Sequence, residues 1–158
     1  MTPGADGAEE GPRDRLLPYA VLSGAYLAGL LAFLWRWRER IPSELRPREV
    51  VLIGVATHKT TRLISKDKIT TPLRAPFTEH QGSGAPGEVE EAPRGSGLRR
   101  AIGELLACPY CLGQWVATGF AAGLVAAPRV TRFLCGVMSA LALSDFLQVA
   151  YRASEERA

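Results

Sequence analysis

Hydrophobic and polar positions are strongly segregated along this chain. Between Arg15 and Arg36 lie twenty consecutive uncharged residues, Leu16 to Trp35. A second uncharged run extends from Leu105 to Pro128, and a third, Phe133 to Tyr151, is broken by Asp145 alone. Roughly 20 helical residues cross a hydrocarbon core about 30 Å thick. A soluble helix rarely stays uncharged that long, because one face must meet water. The pattern predicts an all-α integral membrane protein with three clear transmembrane helices.

The first run could also be read as a cleaved signal peptide with a basic start at Arg13 and Arg15. Its apolar core is too long for that, and no small-residue cleavage site follows. Instead Trp35-Arg36-Trp37-Arg38-Glu39-Arg40 makes an aromatic and basic stop of the kind that anchors a span at the interface. The expected organisation is a polar tail over residues 1–14, a first span over 15–37, and a core over 48–151. The core ends in a helical hairpin, 112–127 and 130–151, with Pro128 and Arg129 as a tight turn, followed by a short tail, 152–158.

Residues 50–66 follow a different pattern. On a helix, Leu52, Ile53, Ala56, Leu63 and Ile64 share one face, and His58, Lys59, Arg62, Ser65 and Lys66 share the other. This amphipathic helix lies in the interface, dips in as a re-entrant element, or crosses as a fourth span with its polar face turned to other helices. Residues 67–97, rich in Pro, Gly and charge, read as a water-exposed loop. Residues 98–107 resume as an amphipathic helix that Pro109 interrupts. Small residues recur every fourth position at Gly24, Ala28 and Ala32, at Gly113, Ala117 and Ala121, and at Gly136, Ala140 and Ser144. The last two stripes are expected to meet.

Five arginines follow the first span and two precede it. By the positive-inside rule, residues 36–48 lie in the cytoplasm and the N-terminus outside. With 50–66 not crossing, the loop 67–107 is cytoplasmic too, in a bacterial inner membrane. Net charge is +3, but the basic residues crowd the ends of spans, where they meet anionic lipid headgroups. Nucleic acid is therefore not an expected partner; the bilayer is, with a membrane protein or a second copy of the chain beside it.

Two places carry candidate chemistry. Cys108-Pro109-Tyr110-Cys111 has the spacing of a dithiol that can close a disulfide, and a helix start favours the thiolate of a cysteine placed there. A thioredoxin-like fold needs this motif after a strand; here Gly103-Glu104-Leu105-Leu106-Ala107 precedes it and a span follows. The pair would serve as a membrane thiol oxidoreductase beside a quinone, as two zinc ligands completed by His58 or His80, or simply as packing at a proline kink. Cys135, mid-span, reads as packing. No cofactor is predicted; zinc and a quinone are those the pair would need.

Asp145 is the second. A carboxylate within a span is costly and should find a partner inside the bundle, with His58, Lys59 and Arg62 as the cations on offer and Gln148 as a neighbour. It would be an ion pair that fixes helix register or the centre of a small ion or proton transporter. No Gly-rich phosphate cradle and no Ser-His-Asp arrangement is present: Gly82 to Gly87 contains proline and lacks a following helix.

Several segments together resemble a known family. They are Ala56-Thr57-His58-Lys59, Arg62-Leu63-Ile64, Thr71-Pro72-Leu73-Arg74-Ala75-Pro76-Phe77-Thr78 and Gly103-Glu104-Leu105-Leu106. With them go Cys108-Pro109-Tyr110-Cys111-Leu112 with Trp115, and Ser144-Asp145-Phe146-Leu147-Gln148. The chain is similar, from about Arg48 to Tyr151, to the uncharacterised bacterial membrane family known as domain of unknown function 1360, which includes a sporulation-associated protein. The resemblance implies an inner-membrane protein and supplies no reaction. Within Thr71 to Thr78, Pro72 and Pro76 bracket Arg74 in a segment expected to be extended. It would offer Arg74 to an anionic headgroup or acidic partner, or dock on the bundle with Phe77 as an apolar plug. The reading reached from sequence is a non-enzymatic interaction or envelope-associated module, with the thiol or metal enzyme and the transporter as alternatives.

Overall fold

A computed structural model describes residues 12–156 of the chain. Residues 1–11 of the expected N-terminal tail, and residues 157–158, lie outside the described residues; α1 has begun by Pro12, and the last helix runs on to Glu155. The element order is α1 (Pro12–Trp37), α2 (Pro47–Ser65), a 3₁₀ turn (Lys68–Thr70), α3 (Thr71–Arg74), β1 (Thr78–Ser83), β2 (Val89–Pro93), α4 (Gly97–Ala107), α5 (Pro109–Ala126) and α6 (Pro128–Glu155). Helices α2, α3, α5 and α6 each carry proline in the first turn, where its missing N–H costs nothing.

Two helices are long and apolar enough to cross a membrane, Leu16–Trp37 and Pro128–Glu155. The expected third span is reached if α4 and α5, bent by 82° at Cys108, count as one. Pro109 does not merely interrupt a helix here; it opens a new one in a new direction.

The directions of the helices follow from their contacts. Glu49 of α2 meets Arg132 of α6, Leu52 meets Ser139, and Lys59 meets Asp145, so these two helices run side by side in the same sense. Tyr19 of α1 bonds Glu104 of α4, and Tyr26 packs against Trp115 and bonds Thr118 of α5 at 2.7 Å. Helix α1 therefore runs along α5, opposite to α2 and α6. The start of α1, α4 and the end of α6 gather at one end of the bundle. Residues 38–46 and the α5–α6 turn gather at the other.

Helix α2 is the centre of the packing, not a peripheral element. It is unbroken from Pro47 to Ser65, and it lies against both α5 and α6, burying Ile53, Ala56, Thr61 and Ser65. This explains why the small-residue stripes of the last two helices do not meet as expected. A Cβ at Gly113 or Gly136 would find nothing within 4 Å, whereas one at Gly123 would lie 2.6 Å from the Thr131 hydroxyl. The arms of that hairpin touch closely near their turn, and α2 fills the space beyond.

Residues 67–97 are not the plain loop expected. They hold an antiparallel hairpin in which Thr78 pairs with Pro93 and Ser83 with Val89, with a bulge between His80 and Gly82. The chain is thus mostly helical rather than purely α. The hairpin is tied back to α2: Val89 N donates to Lys66 O at 2.9 Å, and Lys68 N donates to Gly87 O at 2.9 Å. Its other side rests on α4, where Gly103 leaves room for the Phe77 carbonyl and the Pro93 backbone.

Candidate functional site

The hairpin end of the bundle gathers most of the charged side chains that sequence reading singled out. They form two clusters, one closed and one open.

Arg74 is the centre of the closed cluster. The segment expected to be extended is helical over Thr71–Arg74, because Pro72 falls in its first turn and Pro76 lies beyond its end. The turn carries Arg74 inward, to 0% exposure. It is not presented to a headgroup or an outside partner. Its Nε donates to Glu91 Oε2 at 2.6 Å and its Nη2 to Oε1 at 3.2 Å, a two-pronged contact. Nη1 donates to Ile64 O and to Thr70 Oγ1, each at 2.5 Å, and Nη2 to Asp67 O at 3.2 Å. One guanidinium thereby joins the last turn of α2, the connecting turn and β2. Thr78 Oγ1 lies 2.9 Å from the Glu91 carboxylate. Burial alone would push the Glu91 carboxyl up, but the hydrogen bonds from Arg74 and Thr78 outweigh it and hold it below the ordinary carboxylate value. Phe77 is half-buried beside this cluster, and its carbonyl accepts from Arg94 N at 2.9 Å.

The open cluster lies around Asp145. Lys59 Nζ sits 2.9 Å from Asp145 Oδ2 and 3.6 Å from Asp67 Oδ2, so one cation serves two carboxylates. Of the three cations that sequence offered to Asp145, Lys59 is the one that reaches it. Arg62 pairs with Glu88 of the hairpin turn instead, and the His58 ring stacks on Phe146 with centroids 6.2 Å apart. Among the described residues Gln148 reaches Ser144 alone, at 3.5 Å. Between α2, α6 and the hairpin turn these side chains enclose a cavity of about 480 Å³. The Lys59 side chain is 13% exposed and that of Asp145 53% exposed, so the carboxylate is open to the cavity while the ammonium is enclosed.

The cysteines stand apart from both clusters. Cys108 caps α5, its sulfur accepting the Cys111 backbone N–H at 3.2 Å. Both thiols are free; Cys111 is exposed, Cys108 is half-buried, and Tyr110 between them is 93% exposed. His58 is not brought to them, and among the described residues no three His, Cys, Asp or Glu side chains gather as metal ligands. Cys135 is wholly buried in α6.

Sequence reasoning missed the acids that complete these clusters, Glu88, Glu91 and Asp67, and the pair at the opposite end, where Arg132 Nη2 donates to Glu49 Oε1 at 2.8 Å. For Glu91 a signal existed: Val89 and Glu91 alternate with Glu90, so a strand reading would have placed both inside and Glu90 outside.

Comparison with known proteins agrees with the resemblance. A curated relative, "Sporulation protein YjcA" of Bacillus subtilis (strain 168), is 30% identical over 102 residues, covering 63% of this chain and 86% of the relative. No solved structure matches. The sequence profile described as "Protein of unknown function (DUF1360)" matches residues 52–151, which takes in most of α2, the hairpin, both charged clusters and the cysteine pair. The chain belongs to the DUF1360 family.

Proposed function

We propose that this chain is a non-enzymatic, multi-pass module of a bacterial cytoplasmic membrane, whose β-hairpin is a rigid docking platform at one membrane face. On this reading α1, α2, α5 and α6 cross in alternating directions, with α4 lying along the interface. The start of α1, the hairpin and the end of α6 share one side, and residues 38–46 share the other with the α5–α6 turn. This replaces the re-entrant placement of α2 and the separation of the N-terminus from the loop. Helix α2 tolerates the crossing because Lys59, Arg62 and Lys66, at its hairpin end, each have a carboxylate partner.

The observation that carries this reading is Arg74. A fully buried charge is costly to desolvate, and here it is used to fix a hairpin against the ends of a helical bundle. Here Lys59, Arg62, Arg74, Glu88 and Glu91 are each committed to a partner across elements. The Bacillus relative is named a sporulation protein, and a docking role in that process suits a platform of this kind.

A photo-crosslinking residue placed at Glu79 or Gln81, both exposed on β1, tests the reading in cells. One discrete adduct is expected, lost with Arg74→Ala and retained when Cys108 and Cys111 are both changed to Ser. Should the cysteine changes abolish the cellular role while the hairpin yields no adduct, the thiol oxidoreductase reading replaces this one.

A further inference from the structure

We infer that the cavity between α2, α6 and the hairpin turn seats a phospholipid headgroup that carries both a phosphate and a primary ammonium. The charge pattern comes first. Lys59, Arg62 and Arg152 face Asp67, Glu88 and Asp145 across about 480 Å³, three cations against three carboxylates. An ion of one sign would meet as much repulsion as attraction there. A zwitterion can satisfy both signs, provided each has a group free to receive it.

Such groups are present. Arg152 makes no ion pair among the described residues, and its exposed guanidinium is a two-pronged donor suited to phosphate. Asp145 uses one carboxylate oxygen for Lys59 and leaves the other open to the cavity, where an ammonium can reach it. The His58 ring is held by stacking on Phe146, and its nitrogens have no hydrogen-bond partner among the described residues.

Continuity with an apolar strip selects a lipid over a free phosphoamine. Gln148 and Arg152 line the cavity and also a shallow groove along α6 that continues over Ser144, Leu147 and Tyr151, with Glu155 at its far end. Leu147 and Tyr151 are 61% and 65% exposed, so an acyl chain leaving the headgroup has an apolar track to follow. Pockets between helices near the membrane surface are established seats for lipid headgroups; this one differs from the basic kind in carrying acids to meet an ammonium as well.

The test uses full-length protein in detergent and native mass spectrometry, with phosphatidylethanolamine and phosphatidylglycerol of matched chains. The ethanolamine lipid should be retained roughly tenfold over the glycerol lipid, the order of one charge-assisted hydrogen bond. Arg152→Gln should lower that retention by a similar factor, and Asp145→Asn should erase the preference between the two lipids. Arg152 holds no other element in place, so its variant keeps the test informative even if Asp145→Asn fails to fold. Equal retention of both lipids, unmoved by Arg152→Gln, would overturn the proposal. So would binding of soluble phosphoethanolamine without retention of either lipid.

Discussion

Arg74 meets Glu91 side-on, through Nε and Nη2, with the two side chains 0% and 3% exposed. No other ion pair among the described residues is shut away so completely, and none is bonded to as many separate elements. Removing the guanidinium leaves Glu91 buried without its cation. Arg74→Ala should therefore destabilise the fold by about 3–5 kcal/mol, seen as a lower melting temperature in detergent and poor accumulation in cells. Arg74→Lys should recover little, since an ammonium cannot reproduce the fork. Glu91→Gln on the Arg74→Ala background should restore part of the loss, because both charges are then gone.

The same pair fixes a pH dependence. The Glu91 carboxyl is held below its ordinary value of 4.5 in the folded state. The unfolded chain then binds the proton more readily, so the stabilisation is complete above that value and fades as pH falls through the lower folded value. The melting temperature should drop on acidification below pH 4.5, more steeply for the native chain than for Glu91→Gln. Equal slopes for the two proteins would mean that Glu91 is not the group responsible.

Gly103 is where α4 lies on the hairpin backbone. A side chain there would overlap the Phe77 carbonyl oxygen and stand 3.3 Å from Pro93 Cα, both backbone atoms that cannot swing aside. Gly103→Ala should cost on the order of 1–3 kcal/mol by overpacking, despite the better helix propensity of alanine. Gly113→Ala is the control: open space surrounds that position, so it should be neutral or slightly stabilising. A reversed order in thermal stability would show that α4 does not rest on the hairpin this way.

Two long apolar helices, and a third if α4 and α5 count together, were legible because long uncharged runs have few soluble explanations. The Asp145 partner was narrowed to three residues because a carboxylate in an apolar helix demands a cation. The hairpin was not legible. Thr78-Glu79-His80-Gln81 shows no alternation of apolar and polar residues, and its inward positions are Thr78, Val89 and Glu91, of which Val89 alone is apolar. A strand that buries a salt bridge rather than a hydrophobic row looks like a loop in sequence. The central place of α2 was hidden for a related reason. Its Lys59 and Arg62 argued for water, and the acids that neutralise them lie far along the chain at Asp145 and Glu88.

Sidedness separates the alternating arrangement from the re-entrant one. Single cysteines at Ser43 and Ala85, in a background lacking the native three, should label from opposite sides of the membrane with an impermeant maleimide. A third at Ser154 should label from the same side as Ala85, because α2 and α6 run in one direction and end together. Labelling of Ser43 and Ala85 from one side would mean that α2 returns without crossing.

Lys59 and Asp145 supply the last expectation. The ammonium is enclosed and shared between Asp145 and Asp67, whereas the Asp145 carboxylate is about half open to the cavity. Their contributions should therefore be unequal. Asp145→Asn leaves Lys59 its second acid, so the loss should resemble that of a partly exposed pair, about 1 kcal/mol or less. Lys59→Met removes the cation that Asp67 and Asp145 share and should cost several times more. In the double variant the second change should cost less than it does alone, with a coupling of about 0.5–3 kcal/mol from the thermal melts of all four proteins. Equal losses for the two single variants would place Asp145 as deep as Lys59 and remove Asp67 from the cluster. If Asp145→Asn melts normally and keeps the lipid preference yet abolishes the cellular role, the carboxylate is acting chemically, and the transporter reading displaces the docking platform. Silence from every single and double change would leave Asp145 facing water, with no part in holding α2 to α6.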